Sequence, residues 1–185
     1  MIVICRVPAA GKSHLAQALA EVSGLPHLSS DVTRKRLAGV RQHQRAPSAV
    51  YDADFNRRTY AELGRRGAQE TAACGGALVD ATFRHRADRV AFGDAAPLLF
   101  VECRAPSRVL ATRAAQRDSQ PRRVSDASLS VVVRESSTWE PLDELPPEAH
   151  LTLRSDRRVE TQLEDLCALL DRRIGRLAAP DTFSA

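Results

Sequence analysis

The sequence predicts an α/β domain: a three-layer sandwich with a mainly parallel sheet of five strands between helices. Short apolar runs without polar alternation recur along the chain, as is typical of strands buried on both faces. Segments with apolar residues at helical spacing lie between these runs, and the connections are short. In such sheets ligands bind beyond the carboxyl ends of the strands, so residues that follow a strand are candidates for a site.

The first half of the chain predicts three strands and three helices. The strands are residues 1–5, 27–30 and 77–82, and each is a short apolar or β-branched run. The first helix begins at Lys12 and stops before Gly24, and the second is capped by Ser30 or Asp31 and ends near Gly39. A polar loop over residues 42–48, which we expect to be mobile, precedes a helix over residues 54–74. Gly64 and Gly67 either weaken that helix or let another element pack closely.

The second half continues the alternation with helices at residues 86–95, 107–116, 127–136 and 159–177 and strands at residues 98–103 and 150–153. A polar stretch rich in arginine, residues 113–126, predicts an exposed flap. We expect an arginine-rich helical lid over about residues 107–137. The prediction is one domain over residues 1–177, with a frayed tail at residues 178–185.

Composition limits the function. The 185 residues are 43% apolar and 27% charged, which fits a chain with a real core rather than a disordered one. No apolar run approaches the roughly 18 residues of a membrane span, and Arg6 interrupts the apolar start, so we expect a cytoplasmic protein without a membrane partner. The four cysteines and five histidines are dispersed, which predicts free buried thiols and no zinc site. The net charge of +4 leaves nucleic acid open as a partner, but eight scattered aromatic residues do not support it.

A phosphate-binding motif lies between the first strand and the first helix. The sequence Pro-Ala-Ala-Gly-Lys-Ser over residues 8–13 has the strand and helix context of a P-loop, whose backbone N–H groups surround a polyphosphate. In that motif the lysine reaches the outer phosphates and the serine hydroxyl coordinates Mg²⁺. The candidate nucleotide-binding residues are Pro8, Ala9, Ala10, Gly11, Lys12, Ser13 and His14.

This loop departs from the full pattern GxxxxGK[ST]. Arg6 stands where the first glycine belongs, and Ala9 stands where glycine is common in related loops. Arg6 is expected to narrow the loop or lower the affinity for ATP. The alternative to nucleotide binding is a fortuitous or decayed loop.

Two carboxylates follow other strands. Asp31 and Arg34 form a DxxR pattern after the second strand, where the aspartate can take a proton from an acceptor hydroxyl and the arginine can hold an acceptor phosphate or carboxylate. The alternative is a first-turn ion pair worth about 1 kcal/mol. Asp80 ends the third strand, the usual place for a carboxylate that holds Mg²⁺, and Thr82 helps to orient the same region. The alternative for Asp80 is a hydrogen bond to local backbone.

Arg113 and Arg117 are spaced i and i+4 in the arginine-rich stretch. They are candidates for stabilising a transferring phosphoryl group when the flap closes. The alternative is a solvated helix face.

Taken in order, residues 8–13, 30–37, 59–63, 79–83 and 113–117 resemble the AAA_33-type P-loop kinases, which are related to zeta toxins and polynucleotide kinases. The chain resembles especially the ATP-binding half of proteins with an aminoglycoside-phosphotransferase-like domain upstream. The resemblance covers roughly residues 1–155. The resemblance implies a P-loop NTPase fold and a phosphoryl transferase that uses ATP and Mg²⁺. It also implies Lys12 and Ser13 at the nucleotide, Asp31 as base, Arg34 at the acceptor, Asp80 near the metal, and Arg113 and Arg117 in the lid.

Three function classes remain open at this point. The leading one is a kinase acting on a hydroxyl of a small molecule or nucleotide, with a polynucleotide 5′-hydroxyl as a narrower version. The second is a nucleotide-binding regulator without catalysis, and the third is an interaction module with a vestigial loop. Because Met1 begins at the first strand, any upstream domain is expected to be absent from this chain, which leaves open a stand-alone protein or a separated fragment.

Overall fold

The computed structural model describes residues 1–92, 99–118 and 128–178, with the side chains of residues 117, 118 and 173–178 left outside this description. Within these residues five strands form one parallel sheet in the order β2-β3-β1-β4-β5. The strands are β1 (Ile2–Cys5), β2 (His27–Ser29), β3 (Leu78–Ala81), β4 (Leu99–Arg104) and β5 (His150–Arg154). The prediction of a mainly parallel five-stranded sheet is confirmed.

The described helices follow the predicted order. They are α1 (Lys12–Ser23), α2 (Ser30–Leu37), α3 (Ala53–Cys74), α4 (Arg86–Phe92), α5 (Ser107–Asp118), α6 (Leu129–Ser137) and α7 (Val159–Ala178). Short 3₁₀ turns occur at Ser48–Tyr51 and Pro147–Ala149. The expectation that an exposed flap starts at Arg113 is wrong, because Arg113 is half-buried on α5 and the next residue, Ala114, is fully buried. The rest of the predicted flap lies largely outside the described residues.

The helices cover both faces of the sheet because successive side chains of β1 point to opposite sides. Ile4 joins a buried cluster with Leu15 of α1 and Leu166 of α7. Val3 joins a second buried cluster with Leu63 of α3. Two apolar layers therefore flank the sheet, as expected of a three-layer α/β sandwich.

Two glycines of α3 are required by close packing. A Cβ atom on Gly64 would lie 2.0 Å from the backbone oxygen of Phe92, and one on Gly67 would lie 2.6 Å from Met1 Sδ. The glycines therefore let α3 approach α4 and the start of the chain, which answers the choice left open by the sequence.

The cysteines divide into two groups. Cys5 and Cys103 are buried, and burial raises the pKa of the Cys103 thiol to about 12. Cys74 and Cys167 are exposed, so the expectation that all four thiols are buried is wrong. Among the described helices none is long and apolar enough to cross a membrane.

Candidate active site

A cavity of about 610 Å³ lies beyond the carboxyl ends of β1, β2 and β3. The structure brings together on its walls nine of the residues predicted from the sequence: Pro8, Ala9, Gly11, Lys12, Ser13, Asp31, Arg34, Asp80 and Thr82. Ala10 and His14 do not line the cavity, since Ala10 is fully buried and His14 points to solvent. The position of a residue directly after a strand therefore identified most of the residues on this part of the cavity wall.

The loop before α1 is shaped to receive an anion. Gly11 is the N-cap residue of α1 with φ of 93°, and Ala9 also has a positive φ of 65°. The N-terminus of α1 carries partial positive charge and unpaired N–H groups, which favour a phosphate. Lys12 is 9% exposed and donates a hydrogen bond of 3.0 Å from Nζ to Val7 O. The loop thus gathers its lysine and its helix N-terminus at one wall of the cavity.

Ser13 and Asp80 are the residues of the cavity wall that could hold a metal ion. Ser13 Oγ donates a hydrogen bond of 3.0 Å to Asp80 Oδ1, and His27 Nε2 lies 2.5 Å from Asp80 Oδ2. A hydroxyl and a carboxylate are the hard oxygen ligands that Mg²⁺ prefers. Within the described residues no three His, Cys, Asp or Glu side chains form a metal-binding group. Mg²⁺ usually takes one or two protein ligands and completes its shell with phosphate and water, so Ser13 and Asp80 have the chemistry to hold it. His27 was not anticipated from the sequence.

Asp31 and Arg34 lie on the wall formed by α2. This helix begins directly after β2, which places Asp31 in its first turn at the cavity. Arg34 is 6% exposed, donates a hydrogen bond of 2.7 Å to Val50 O, and has its guanidinium 5.0 Å from the centre of the Tyr51 ring. Arg34 Nε is buried and has no hydrogen-bond partner. The guanidinium therefore brings a positive charge, with a donor still unused, to a polar wall of the cavity.

Two further carboxylates on the wall were missed by the sequence analysis. Burial raises the pKa of Asp88 and of Glu135 above their ordinary values. For Glu135 the positive charges of Arg84, Lys12 and Arg134 oppose this increase, while Asp31 adds to it. Glu135 Oε2 is buried and has no hydrogen-bond partner. Lys12, Asp31 and Glu135 therefore share one electrostatic environment.

The remaining wall residues come from segments without a motif. The main ones are Arg45, Tyr51, Asn56, Tyr60, Arg84 and Arg134. Arg84 closely follows β3, so its position after a strand had already made it a candidate. The others are placed by the packing of α3, α6 and the loop before α3, and no local signal pointed to them.

Arg113 lies against the phosphate loop rather than in solvent, and its role in stabilising a phosphoryl group stays a prediction. Its guanidinium donates a hydrogen bond of 2.7 Å to Ser155 O and one of 3.5 Å to Ala9 O. It therefore connects α5 to the phosphate loop and to the segment after β5, and it does not line the cavity. The Arg117 side chain lies outside the described residues.

The Arg6 side chain points away from the cavity and forms an ion pair with Glu102. Its Nη1 lies 2.7 Å from Oε1 of the buried Glu102, and its guanidinium lies 4.7 Å from the centre of the Trp139 ring. The Arg6 side chain is therefore not part of the cavity wall, and a lowered affinity for ATP stays a prediction. The Arg6 backbone has φ of 135°, a conformation that costs about 1–3 kcal/mol in a residue other than glycine.

Comparison with known proteins places this geometry in context. A family model described as an AAA domain, AAA_33, matches residues 1–142. No curated protein matches the chain.

Solved structures of kinases have a similar fold. A gluconokinase from Sinorhizobium meliloti 1021 has a TM-score of 0.69 at 22% identity, covering 95% of this chain and 94% of its own. An unliganded sugar kinase from Janibacter sp. HTCC2649 has a TM-score of 0.68 at 18% identity, covering 92% and 93%. Shikimate kinase from Acinetobacter baumannii, in complex with shikimate, has a TM-score of 0.60 at 16% identity, covering 92% and 93%. These structures are P-loop kinases, and at such identities the likeness shows the fold.

Proposed function

Because the chain belongs to the AAA_33 family and has the fold of P-loop kinases, we propose that it transfers the γ-phosphoryl group of ATP to a hydroxyl of a small polar molecule. One observation carries this proposal: Lys12, Asp31 and Arg34 line the same cavity. A nucleotide-binding lysine, a base and an acceptor-binding cation are the groups that such a transfer needs, because it depends mainly on positioning and on neutralising charge.

The phosphate loop binds the nucleotide in this proposal. Backbone N–H groups of Ala9 and Gly11 and the N-terminus of α1 hold the phosphates, and Lys12 Nζ turns from Val7 O toward the outer phosphate. Ser13 and Asp80 hold Mg²⁺, directly or through its water shell. When bound, Mg²⁺ neutralises the charge that develops on the phosphate oxygens during transfer.

Asp31 acts as the general base at the acceptor. It takes the proton of the acceptor hydroxyl as that oxygen forms a bond to the γ-phosphorus, while the bond from phosphorus to the β,γ-bridging oxygen breaks and ADP leaves. Its place on the cavity wall, in the electrostatic environment of Lys12 and Glu135, supports this role. Arg117 stays our candidate for stabilising charge from α5.

The acceptor is small, rich in hydroxyl groups, and carries a carboxylate or phosphate. Arg34 supports the anionic group, because a buried guanidinium with an unused N–H recognises a planar or tetrahedral anion. Polar side chains on the same walls, among them Ser48 and Asn56, suit hydroxyl groups. The gluconokinase and shikimate kinase likenesses suggest gluconate and shikimate as first test compounds. A cytoplasmic location and an aminoglycoside-phosphotransferase-like partner stay predictions.

Calorimetry with Mg-ATP tests the first part of the proposal. We expect the wild type to bind and Lys12→Ala to bind at least about tenfold more weakly, a loss of about 1.4 kcal/mol. Arg108→Ala is the matched control, since it also removes one positive charge, but at an exposed position of α5 outside the cavity. If the wild type does not bind, the kinase function is rejected.

Transfer of labelled γ-phosphate tests the second part. The panel contains gluconate, shikimate, neutral sugars, and DNA and RNA oligomers at low salt, where contacts to a polynucleotide backbone are strongest. A phosphorylated sugar acid supports the proposal, and a product only on oligomers replaces it with polynucleotide kinase activity. ATP binding without transfer to any compound favours a regulator without catalysis. The observation that supports this alternative is the positive φ of Arg6 and Ala9, which are not glycines.

A further inference from the structure

The residue that stands in place of a loop glycine makes two specific side-chain contacts. Arg6 pairs with Glu102, which is 1% exposed and also accepts a hydrogen bond of 2.9 Å from Arg104. The Arg6 guanidinium at the same time lies over the ring of Trp139, a geometry that favours a cation–π interaction. A positive φ at a residue other than glycine persists only where the surroundings hold it, and these two contacts help to hold Arg6.

Trp139 begins a segment that joins two walls of the cavity. We call residues 139–145 the strap. Glu140 N donates to Arg84 O at 3.0 Å, and Arg86 N donates to the Glu140 carboxylate at 2.5 Å. Arg89 pairs with Glu144 and donates to Pro141 O at 3.0 Å. The strap is thereby fastened along residues 84–89.

The two segments joined by the strap carry four of the charged side chains on the cavity walls. Helix α6, which precedes the strap, presents Arg134 and Glu135. The segment 84–89 presents Arg84 and Asp88. A shift of the strap therefore moves four charged side chains relative to the phosphate loop.

Arg6 lies where the phosphate loop begins, and its backbone is hydrogen-bonded to the residue that follows β3. Arg6 N donates a hydrogen bond of 3.3 Å to Thr82 O, next to the cavity wall formed by Thr82. The phosphate loop is therefore only a few covalent bonds from the Arg6 guanidinium, which contacts Trp139 of the strap.

We propose that Arg6 is a positioning residue that couples the phosphate loop to the strap, so that nucleotide binding at the loop is transmitted to Trp139 and to the cavity walls behind it. The response to nucleotide rests on the proposed function. The contact between loop and strap is present without nucleotide and is tested separately.

The chain offers a direct probe, because Trp139 is its one tryptophan. We expect Mg-ATP to change the Trp139 emission of the wild type, with a midpoint at the dissociation constant measured by calorimetry. Arg6→Gly is expected to fold, because glycine adopts φ of 135° readily, and thermal melting checks this. It should bind Mg-ATP within about threefold of the wild type and lose the emission change. Arg6→Lys, which keeps the cation, should restore part of the change.

The matched control is Arg104→Ala. Arg104 also pairs with Glu102, but its side chain is 59% exposed. This variant should keep the emission change. The proposal is overturned if Arg6→Gly retains the full response, or if the wild type binds Mg-ATP without any response.

Acrylamide quenching without nucleotide separates this proposal from the proposed function. We expect Trp139 to be quenched about twofold faster in Arg6→Gly than in the wild type or Arg104→Ala, because the strap loses its contact with the loop. If calorimetry shows no Mg-ATP binding, the kinase function fails and transmission of nucleotide binding fails with it. Equal quenching in all three proteins shows that Arg6 does not position the strap and overturns the proposal even where ATP binds.

Discussion

Ser13 and Asp80 are joined by a hydrogen bond of 3.0 Å between Oγ and Oδ1, although 67 positions separate them along the chain. The parallel pairing of β1 with β3 sets Ile4 beside Asp80, so the end of β3 lies next to the start of α1. His27 approaches the other carboxylate oxygen of Asp80. A hydroxyl and a carboxylate thus meet at the mouth of the phosphate loop, where we propose that Mg²⁺ is held.

Asp80→Asn is expected to remove the effect of Mg²⁺ on ATP affinity, because the amide lacks the negative charge that attracts the ion. Calorimetry with and without Mg²⁺ should give a ratio of affinities of about tenfold or more for the wild type and a ratio near one for the variant. Asp143→Asn, at an exposed position outside the cavity, should keep the wild-type ratio. An unchanged ratio in Asp80→Asn argues that Asp80 is a structural partner of Ser13 and His27 only.

Asp31→Asn should bind Mg-ATP like the wild type and slow transfer to the identified acceptor by about 10²–10⁴-fold, the usual contribution of a general base. The asparagine side chain keeps the size and polarity of the aspartate but does not accept the hydroxyl proton. Single-turnover transfer of labelled phosphate measures the effect on the chemical step. Transfer at the wild-type rate would remove Asp31 from the mechanism.

Arg34→Gln should raise the KM for an anionic acceptor by about tenfold or more, or about 1.4 kcal/mol, and leave the affinity for ATP nearly unchanged. Thermal stability should also fall, since the buried guanidinium supports Val50 and Tyr51. Arg36→Gln is the control in the same helix, because its half-exposed side chain pairs with Glu62 at 2.6 Å away from the cavity. A KM effect of equal size in both variants would mean that general charge, not a specific contact, is responsible.

Glu135→Gln should stabilise the protein at pH 7 and lose this advantage in acid. Burial raises the pKa of Glu135 above 4.5, so the folded state holds the proton more tightly than the unfolded state. Stability is then lost as the pH rises from about 4.5 through the raised pKa, and glutamine avoids this loss. Thermal melts at pH 4 and pH 7 measure the difference, with the exposed Glu148→Gln as control. A variant less stable than the wild type at pH 7 would contradict the expectation.

Local patterns were sufficient for the layout of the chain and for one wall of the cavity. The apolar run before Arg6 and the triplet Gly11 to Ser13 are short-range signals, and each was found where it was predicted. The cap of α2 is Ser29, one or two positions before the predicted Ser30 or Asp31. Parallel strands end at the same edge of a sheet, so residues after different strands converge without any further information. Lys12, Asp31 and Asp80 could therefore be assigned to one cavity before the strand order was known.

Arg113 and Glu135 show where such reasoning stops. An arginine-rich stretch predicted solvent, yet Arg113 contacts Ala9 and Ser155, because α5 packs beside the phosphate loop. Glu135 had no motif, and its burial depends on how α6 lies across the cavity. Contacts between distant segments depend on the packing of whole elements, which the residues on either side do not encode locally.

The sequence by itself determined the alternation of strands and helices, the parallel sheet and the phosphate loop, because all three follow from periodicity and from residue types close together in the chain. Only the tertiary structure decided that Arg6 turns from the loop toward Glu102 and Trp139, and that His27 meets Asp80. These contacts join residues at least 53 positions apart. Their geometry depends on strand order and helix packing, and only the folded chain satisfies both at once.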